Sequence, residues 1–311
     1  WLTILERNDF IKTTEPVEIK NIPPPPNYQA QIDDPTIVDE LIKNSEKIIE
    51  DLNRDIQNKS GTELFDFIRD DIQKLTKNIA EPGNFSAIMT SMNASHWIND
   101  KMKEWLGEKN VADTIAQSAP NNITSEMGLE LLDVADVIRP YPDVIDYLQH
   151  ANAENFLVNL NEFNGGKETK QAIDQFLNKY GMRCVGEIDI TRKRWAENQL
   201  AIVPIILSNI KNLSAGESKR KSEQGREQSL KKEKQLLEQL TTLPDGDQKV
   251  KETKQMIDRI RNFAGYREYP KYHIVSRYFI YTKALMKEAN RLVESQIIQD
   301  KEDIYYLTFE E

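Results

Sequence analysis

The sequence has few of the residues on which disulfide-bonded, metal-binding and membrane-spanning proteins depend. Its 311 residues include one cysteine, Cys184, and three histidines. A single cysteine cannot form an intrachain disulfide, and without a Cys/His cluster there is no pattern for a structural zinc. The longest strongly apolar run, residues 200–210, is too short to span a bilayer. These absences predict a reducing, cytoplasmic location.

Sequence patterns for catalysis and for phosphate or metal binding are also lacking. No Gly-x-x-x-x-Gly-Lys-Ser/Thr phosphate loop occurs, and His96, His150 and His273 lack the spacing that places two imidazoles on one helix face. The 41 basic and 51 acidic side chains give a formal net charge of −10. This charge argues against nucleic acid as a partner, because phosphates favour a basic surface. We therefore predict no catalytic residue, metal site or bound cofactor in this chain.

The two ends of the sequence differ from its middle. Residues 1–35 are irregular and contain four consecutive prolines, Pro23 to Pro26, which favour an extended polyproline path. We predict a strap or linker there. The first residue is Trp1, and the sequence ends on the apolar pattern "YYLTFEE". These ends predict a piece of a longer chain.

From residue 36 onward, apolar residues recur at intervals of three and four, which is the helical period. The pattern predicts helices from residue 36, over residues 62–79, up to Gly107 and from Pro270 to about Gln296, with shorter helices between residues 109 and 165. The best candidate for an extended piece is "RCVGEIDI", residues 183–190. One strand does not make a sheet. The prediction is a mainly α fold, an irregular helical domain over residues 36–311 with little or no sheet.

Charges of both signs alternate along residues 215–240, a turn follows at Pro244 to Gly246, and an amphipathic pattern returns to residue 262. Two helices joined by a tight turn form an antiparallel hairpin. We predict a protruding, charged helical hairpin over about residues 215–262, with solvated outer faces.

The densest group of charges lies in "GMRCVGEIDITRKRW", residues 181–195. Arginine side chains there can bind a phosphate or carboxylate through their planar forks. The same groups can instead satisfy one another in a structural polar network. The network is favoured because no nucleophile or metal cluster accompanies the charges. Its predicted members are Arg183, Glu187, Asp189 and Arg194.

Three blocks carry a family resemblance: "YGMRCVGEIDITRKRWAEN", residues 121–149 and residues 263–311. They resemble the phosphoenolpyruvate synthase-like phosphotransferases and, within them, the rifampin phosphotransferases. The resemblance covers residues 80–311 well and residues 1–79 loosely. It implies a parent enzyme in which an ATP-grasp domain, with ATP and Mg, makes a phosphohistidine, a swivelling domain carries it, and a helical domain holds the rifamycin.

This chain departs from that parent, because it has neither the ATP-grasp domain nor the Gly-Gly-x-x-Ser-His-x-Ala-type motif of the swivelling domain. The resemblance therefore implies a substrate-binding domain that is inactive alone and acts with other domains of its parent chain. Membrane partners are not expected. Two other functions stay open: the same region of an enzyme with another acceptor, such as pyruvate, or a non-catalytic helical scaffold.

A rifamycin is a large, mostly apolar macrocycle with a few hydroxyls, so its site should be a groove lined by apolar and methionine side chains with a few polar anchors. Plain core packing is the simpler interpretation of each apolar residue taken singly. Arg267 can also pair with Glu268. With those alternatives open, the predicted substrate-binding residues are Phe85, Ile88, Met89, Met92, Met127, Gly128 and Arg267.

Overall fold

The computed structural model describes residues 32–79, 82–152 and 156–308, and within these ranges the chain forms α-helices and short 3₁₀ segments without a β-strand. The predicted mainly α fold is confirmed. The α-helices are α1 (Thr36–Ile56), α2 (Gly61–Ile79), α3 (Pro82–Leu106), α4 (Val111–Ile115), α5 (Ile123–Ile138), α6 (Pro142–His150), α7 (Phe156–Asn159), α8 (Gly166–Tyr180), α9 (Val203–Asn212), α10 (Glu217–Thr241), α11 (Gly246–Phe263) and α12 (Tyr269–Glu294). The 3₁₀ segments are Leu160–Glu162, Gln199–Ile202, Gly265–Glu268 and Lys301–Tyr306. The predicted strap lies outside the described residues as far as residue 31.

Local sequence signals set several helix ends. Asn122 caps α5, since its side chain accepts a hydrogen bond from the backbone N–H of Ser125 at 3.0 Å. Proline occupies the first turn of α6, α9 and α12, where its missing N–H costs nothing. Gly107 follows α3 with a φ of 71°, a backbone conformation that favours glycine.

Residues 183–190, which suggested an extended piece, do not adopt an extended conformation. Residues 185–190 are a series of turns and a bend, and Val185 is 92% exposed. The expectation of an extended piece at residues 183–190 is therefore wrong. Hydrogen bonds from outside the segment hold its carbonyl groups, as shown below, so strand pairing is not needed to satisfy them.

The helices enclose one large core and two smaller ones. The large core lies between α5, α8, α9 and the start of α12, with contributions from α1, α3, α6 and α7. Its fully buried members include Ile138, Val144, Ile173, Phe176, Tyr180, Ile206 and Phe263. The α5 and α8 helices pack against each other on this core. The Tyr272 hydroxyl of α12 donates to the carbonyl of Lys179, so the end of α8 is held beside the start of α12.

The second core lies under the helical hairpin of α10 and α11. Apolar residues of α3, α4, α10 and α11 meet there, including Ile98, Met102, Leu236, Leu240, Ile257 and Ile260. The outer sides of α10 are lined by exposed charged residues. The hairpin is thus amphipathic, with one side packed against α3 and the other in solvent. No helix in the described parts of the chain has the length and apolar character required to cross a membrane.

The third core joins α1 and α2 to α12, and a buried polar cluster lies against it. The guanidinium of Arg277 is 1% exposed and pairs with Asp71 of α2, which also accepts a hydrogen bond from the Tyr281 hydroxyl. Arg277 Nε donates to His273 Nε2 at 3.0 Å. A guanidinium only donates, so Nε2 must accept and His273 is neutral with its proton on Nδ1. Burial, and then the charge of Arg277, lower the pKa of His273 to about 3.

This histidine predicts a loss of stability in mild acid. In the unfolded chain His273 takes up a proton near pH 6.5, whereas in the folded chain it stays neutral down to about pH 3. The unfolded state therefore binds more protons between these values, and stability falls as the pH falls through this window. We expect His273 alone to remove about 2 kcal/mol from the free energy of unfolding between pH 7.5 and pH 5. Urea unfolding at a series of pH values measures it.

His273→Gln is the matched variant, because a glutamine oxygen can still accept from Arg277 and does not titrate. Its free energy of unfolding should change less between pH 7.5 and pH 5 than that of the wild-type chain, and the curves should run parallel between pH 7.5 and pH 8.5. Equal slopes below pH 6.5 would show that His273 does not cause the acid sensitivity.

Candidate functional site

The segment after α8, residues 181–198, folds back on itself and is called the 181–198 loop below. Two backbone hydrogen bonds close its base: the N–H of Trp195 donates to the carbonyl of Arg183 at 2.9 Å, and the N–H of Ala196 donates to that of Gly181 at 2.8 Å. The loop is thus a compact unit that follows α8 directly.

Arg194 fills the inside of this loop and is 0% exposed. Its Nη1 donates to the backbone carbonyl of Glu187 at 2.6 Å and lies 3.3 Å from the sulfur of Cys184, and its Nη2 donates to the carbonyl of Asp189 at 3.1 Å. Its Nε is buried without a hydrogen-bond partner. The guanidinium therefore replaces strand pairing as the partner of the loop carbonyls.

Asp189 organises the outer turn of the loop. Its Oδ1 accepts from the backbone N–H of Thr191 at 3.0 Å and from the Thr191 hydroxyl at 2.7 Å. Burial raises the pKa of Asp189, but these hydrogen bonds and the charges of Arg192 and Arg194 outweigh burial and lower it below its usual value. Asp189 therefore stays ionised near neutral pH and fixes the turn.

A buried ion pair connects the loop to α12. Arg183 Nε lies 2.9 Å from Glu187 Oε2, and both residues are buried. The other oxygen, Oε1, lies 2.8 Å from the ammonium nitrogen of Lys271, in the first turn of α12. One carboxylate thus contacts two cations, one enclosed and one half-exposed.

A pocket of about 500 Å³ opens between this loop, α5 and the start of α12. Apolar surface dominates its walls, and the charges on it belong to the group just described. The pocket is lined by Met127, Arg183, Cys184, Val185, Gly186, Glu187, Ile188, Asp189, Trp195 and Lys271. It combines an apolar surface with a few convergent polar groups, as small-molecule sites do.

Aromatic rings support the pocket from behind. The Trp195 ring lies 6.0 Å from that of Phe176, which lies 5.1 Å from that of Tyr180, and Tyr180 meets Tyr272 edge-on at 6.5 Å. The Tyr272 hydroxyl donates to the carbonyl of Lys179 at 2.9 Å, and burial raises the pKa of Tyr272 to about 12. These contacts hold the loop, α8 and α12 in one packed unit.

Two predicted substrate-binding residues lie on α5, and a third lies just before α12. Met127 lines the pocket directly. Gly128, the next residue of α5, is exposed, and outside its own helix no atom lies within 4 Å of the place a Cβ would take. Arg267 is exposed just before α12 and pairs with Glu268 at 3.1 Å, the alternative contact that the sequence allowed.

The four predicted residues of α3 do not line this pocket. Phe85, Ile88 and Met89 are half-buried, Ile88 against the large core, and Met92 is 40% exposed. The reason is the packing of α3, which lies against α11 and extends under the hairpin. Helical spacing identified the stripe but not the neighbour that each of its faces meets.

Several lining residues were not singled out from the sequence as substrate-binding residues. Lys271 is the most informative of them, because it brings an ammonium group to the pocket wall from a different element than the loop. Lys271 follows Arg267 by one helical turn at the start of a helix, and residues at that spacing lie on the same helix face. This spacing could have indicated that Lys271 belongs to the same site as Arg267. The others are Cys184, Val185, Gly186, Ile188 and Trp195.

A second pocket of about 410 Å³ lies beside α11 and has a different character. Apart from Phe263, charged and amide side chains line it: Asp33, Lys251, Lys254, Gln255, Asp258, Arg259 and Asn262. Asp33 pairs with the buried Arg259 there at 2.8 Å. The first pocket, with its apolar walls, is the better candidate for an apolar ligand. Among the residues described, no group of three or more His, Cys, Asp or Glu side chains is placed to hold a metal ion.

An all-helical domain with an apolar pocket and a few fixed charges is typical of a small-molecule-binding domain. Residues 83–268 match the family model described as "Rifampicin phosphotransferase fourth domain". The chain is 58% identical over 315 residues to "Rifampicin phosphotransferase" of Bacillus subtilis (strain 168), and 50% identical over 314 residues to the protein of that name from Streptomyces sviceus. The chain therefore belongs to the rifampicin phosphotransferase family. The alignments cover 100% and 99% of the chain, and the chain spans 36% of the length of each relative.

Proposed function

We propose that this chain is the substrate-binding domain of a rifampicin phosphotransferase and that the pocket beside the 181–198 loop holds a rifamycin. The observation that carries the proposal is the pocket itself, whose walls are mostly apolar and include a lysine that contacts a buried carboxylate. An ansamycin presents the complementary chemistry, a large apolar ring with a few oxygen atoms.

The lining residues divide into two roles in this proposal. Met127, Ile188 and Trp195 offer apolar surface to the macrocycle, and methionine adapts to an irregular ligand. Lys271 can only donate hydrogen bonds, so it would bind a hydroxyl or carbonyl oxygen. Gly128 leaves room for the ligand at α5, and Arg267 is a further donor just before α12. The α3 residues Phe85, Ile88, Met89 and Met92 remain predicted substrate-binding residues, for a part of the site outside this pocket.

The parent enzyme would transfer a phosphoryl group from ATP to a rifamycin hydroxyl and release AMP and phosphate, which inactivates the antibiotic. ATP and Mg would bind to other domains of the longer protein, and this chain would bind and orient the acceptor. The partly exposed free thiol of Cys184 is compatible with a reducing cytoplasm.

Lys271→Met tests the proposal, because methionine keeps the aliphatic stem and removes the ammonium group. Titration calorimetry with rifampicin on the full-length protein should show a dissociation constant raised about tenfold or more, as expected for the loss of a hydrogen bond to a charged group. A negative heat-capacity change on binding to the unmodified protein would report burial of apolar surface.

Lys283→Met is the matched control, since Lys283 is an exposed lysine of the same helix whose ammonium lies over the ring of Phe279 at 4.7 Å. It should bind rifampicin like the unmodified protein. If Lys271→Met also binds like the unmodified protein, the pocket is not the rifamycin site. An absence of any rifampicin binding by the folded full-length protein would point to another acceptor.

A further inference from the structure

Glu187 is buried, unlike the partners of most surface ion pairs. It is 6% exposed, its backbone carbonyl is bound by Arg194, and its two carboxylate oxygens contact different cations. Oε2 faces Arg183, which is 7% exposed, and Oε1 faces Lys271, whose side chain is 43% exposed. The carboxylate therefore joins the closed interior of the loop to the open wall of the pocket.

The charges of this group do not balance. The positive charge of Arg183 is enough to compensate the negative charge of Glu187, and the contact between the two side chains is enclosed within the loop. Lys271 adds a second positive charge that burial of the carboxylate does not need. A free lysine side chain would sample many rotamers, and ordering it on ligand binding costs affinity. Holding Lys271 in advance removes part of that cost.

We propose that Glu187 is a positioning residue, which fixes the ammonium group of Lys271 at the pocket wall so that it meets an oxygen acceptor of the bound substrate. This inference rests on the proposed function, because it assumes that the pocket binds the rifamycin. In this role Glu187 does not contact the reacting atoms. The loop takes part in substrate recognition because Glu187 acts through Lys271.

Mutations in the full-length protein separate positioning from a structural role. Glu187→Gln and Lys271→Met should each raise the KM for rifampicin about tenfold and leave kcat unchanged, as expected for groups that act in substrate binding. The double variant should have the KM of Lys271→Met alone, because Glu187 has nothing to position once the ammonium is gone. A structural role would instead make the two effects multiply.

Glu288→Gln is the matched control, since Glu288 is a 3% exposed glutamate of α12, the helix that carries Lys271, and pairs with Arg291 away from the pocket. It should leave KM unchanged even if it lowers the melting temperature. If Glu187→Gln does not fold because Arg183 is left without a counter-charge, the Arg183→Met, Glu187→Gln variant removes that charge and should show the same rise in KM.

The possible failures are distinguishable. If Lys271→Met leaves KM unchanged, the proposed site is wrong, and the positioning role with it. If Lys271→Met raises KM but neither folded variant of Glu187 does, only the positioning role is wrong. Multiplying effects in the Glu187→Gln, Lys271→Met variant would assign Glu187 to the stability of the loop.

Discussion

Replacing Arg194 by alanine should lower the free energy of unfolding by about 3 kcal/mol or more, one of the two largest effects that we expect. The guanidinium is fully buried and holds the carbonyls of Glu187 and Asp189. Without it, the buried carbonyl of Glu187 loses its partner at a cost of about 1–3 kcal/mol, the partly buried carbonyl of Asp189 loses one as well, and the loop gains a cavity. Urea unfolding followed by circular dichroism measures the change.

The same substitution should weaken rifampicin binding, because the loop supplies most of the pocket lining. Arg192→Ala is its control: this arginine belongs to the same loop, but its side chain is 66% exposed, so the effect on unfolding should stay within about 0.5 kcal/mol. Equal stability of the two variants would mean that other groups or water satisfy the loop carbonyls.

The helices were predictable because their packing depends on the period of apolar residues, which is a local property of the sequence. The pattern predicted a helix over residues 62–79 and another from Pro270 to about Gln296, and the structure has Gly61–Ile79 and Tyr269–Glu294. The differences are one or two residues at the ends, where caps rather than periodicity decide.

The loop was not predictable in the same way, because its shape depends on contacts between residues that are distant in sequence. Alternating apolar residues in 183–190 suggested an extended piece, yet Arg194 binds the carbonyl groups there and Val185 faces solvent. The density of charge did single out the segment that supplies most of the pocket lining. The sequence left open whether those charges bind one another or a ligand. In the structure, Arg183, Glu187 and Lys271 contact one another and also line the pocket.

The site shows the same limit. Met127 was singled out and lines the pocket, whereas Lys271 was not, because nothing near Lys271 in the sequence indicates its partner Glu187. The α3 stripe shows a related limit: regular spacing indicates that a helix has an apolar face, but a core and a ligand groove use the same residue types. Only the packing of α3 against α11 shows which neighbour that face meets.

Removing the carboxylate of Asp71 is the second substitution with a large expected effect. Asp71→Ala leaves Arg277, which is 1% exposed, without its counter-charge and the hydroxyl of Tyr281 without its acceptor. Leaving one partner of a buried ion pair alone costs about 3–5 kcal/mol. We expect a fall of that size in the free energy of unfolding, measured with urea at pH 7.5, where His273 is neutral in both states.

The adjacent Asp70 is exposed, so Asp70→Ala should change the free energy of unfolding by no more than about 0.5 kcal/mol. The Asp71→Ala, Arg277→Met variant gives the sharper comparison, because it removes the uncompensated charge as well as its partner. It should be more stable than Asp71→Ala alone, since an apolar side chain of similar length can fill the space of a buried ion pair. If the two are equally unstable, the cost lies in the lost packing between α2 and α12 and not in the buried charge.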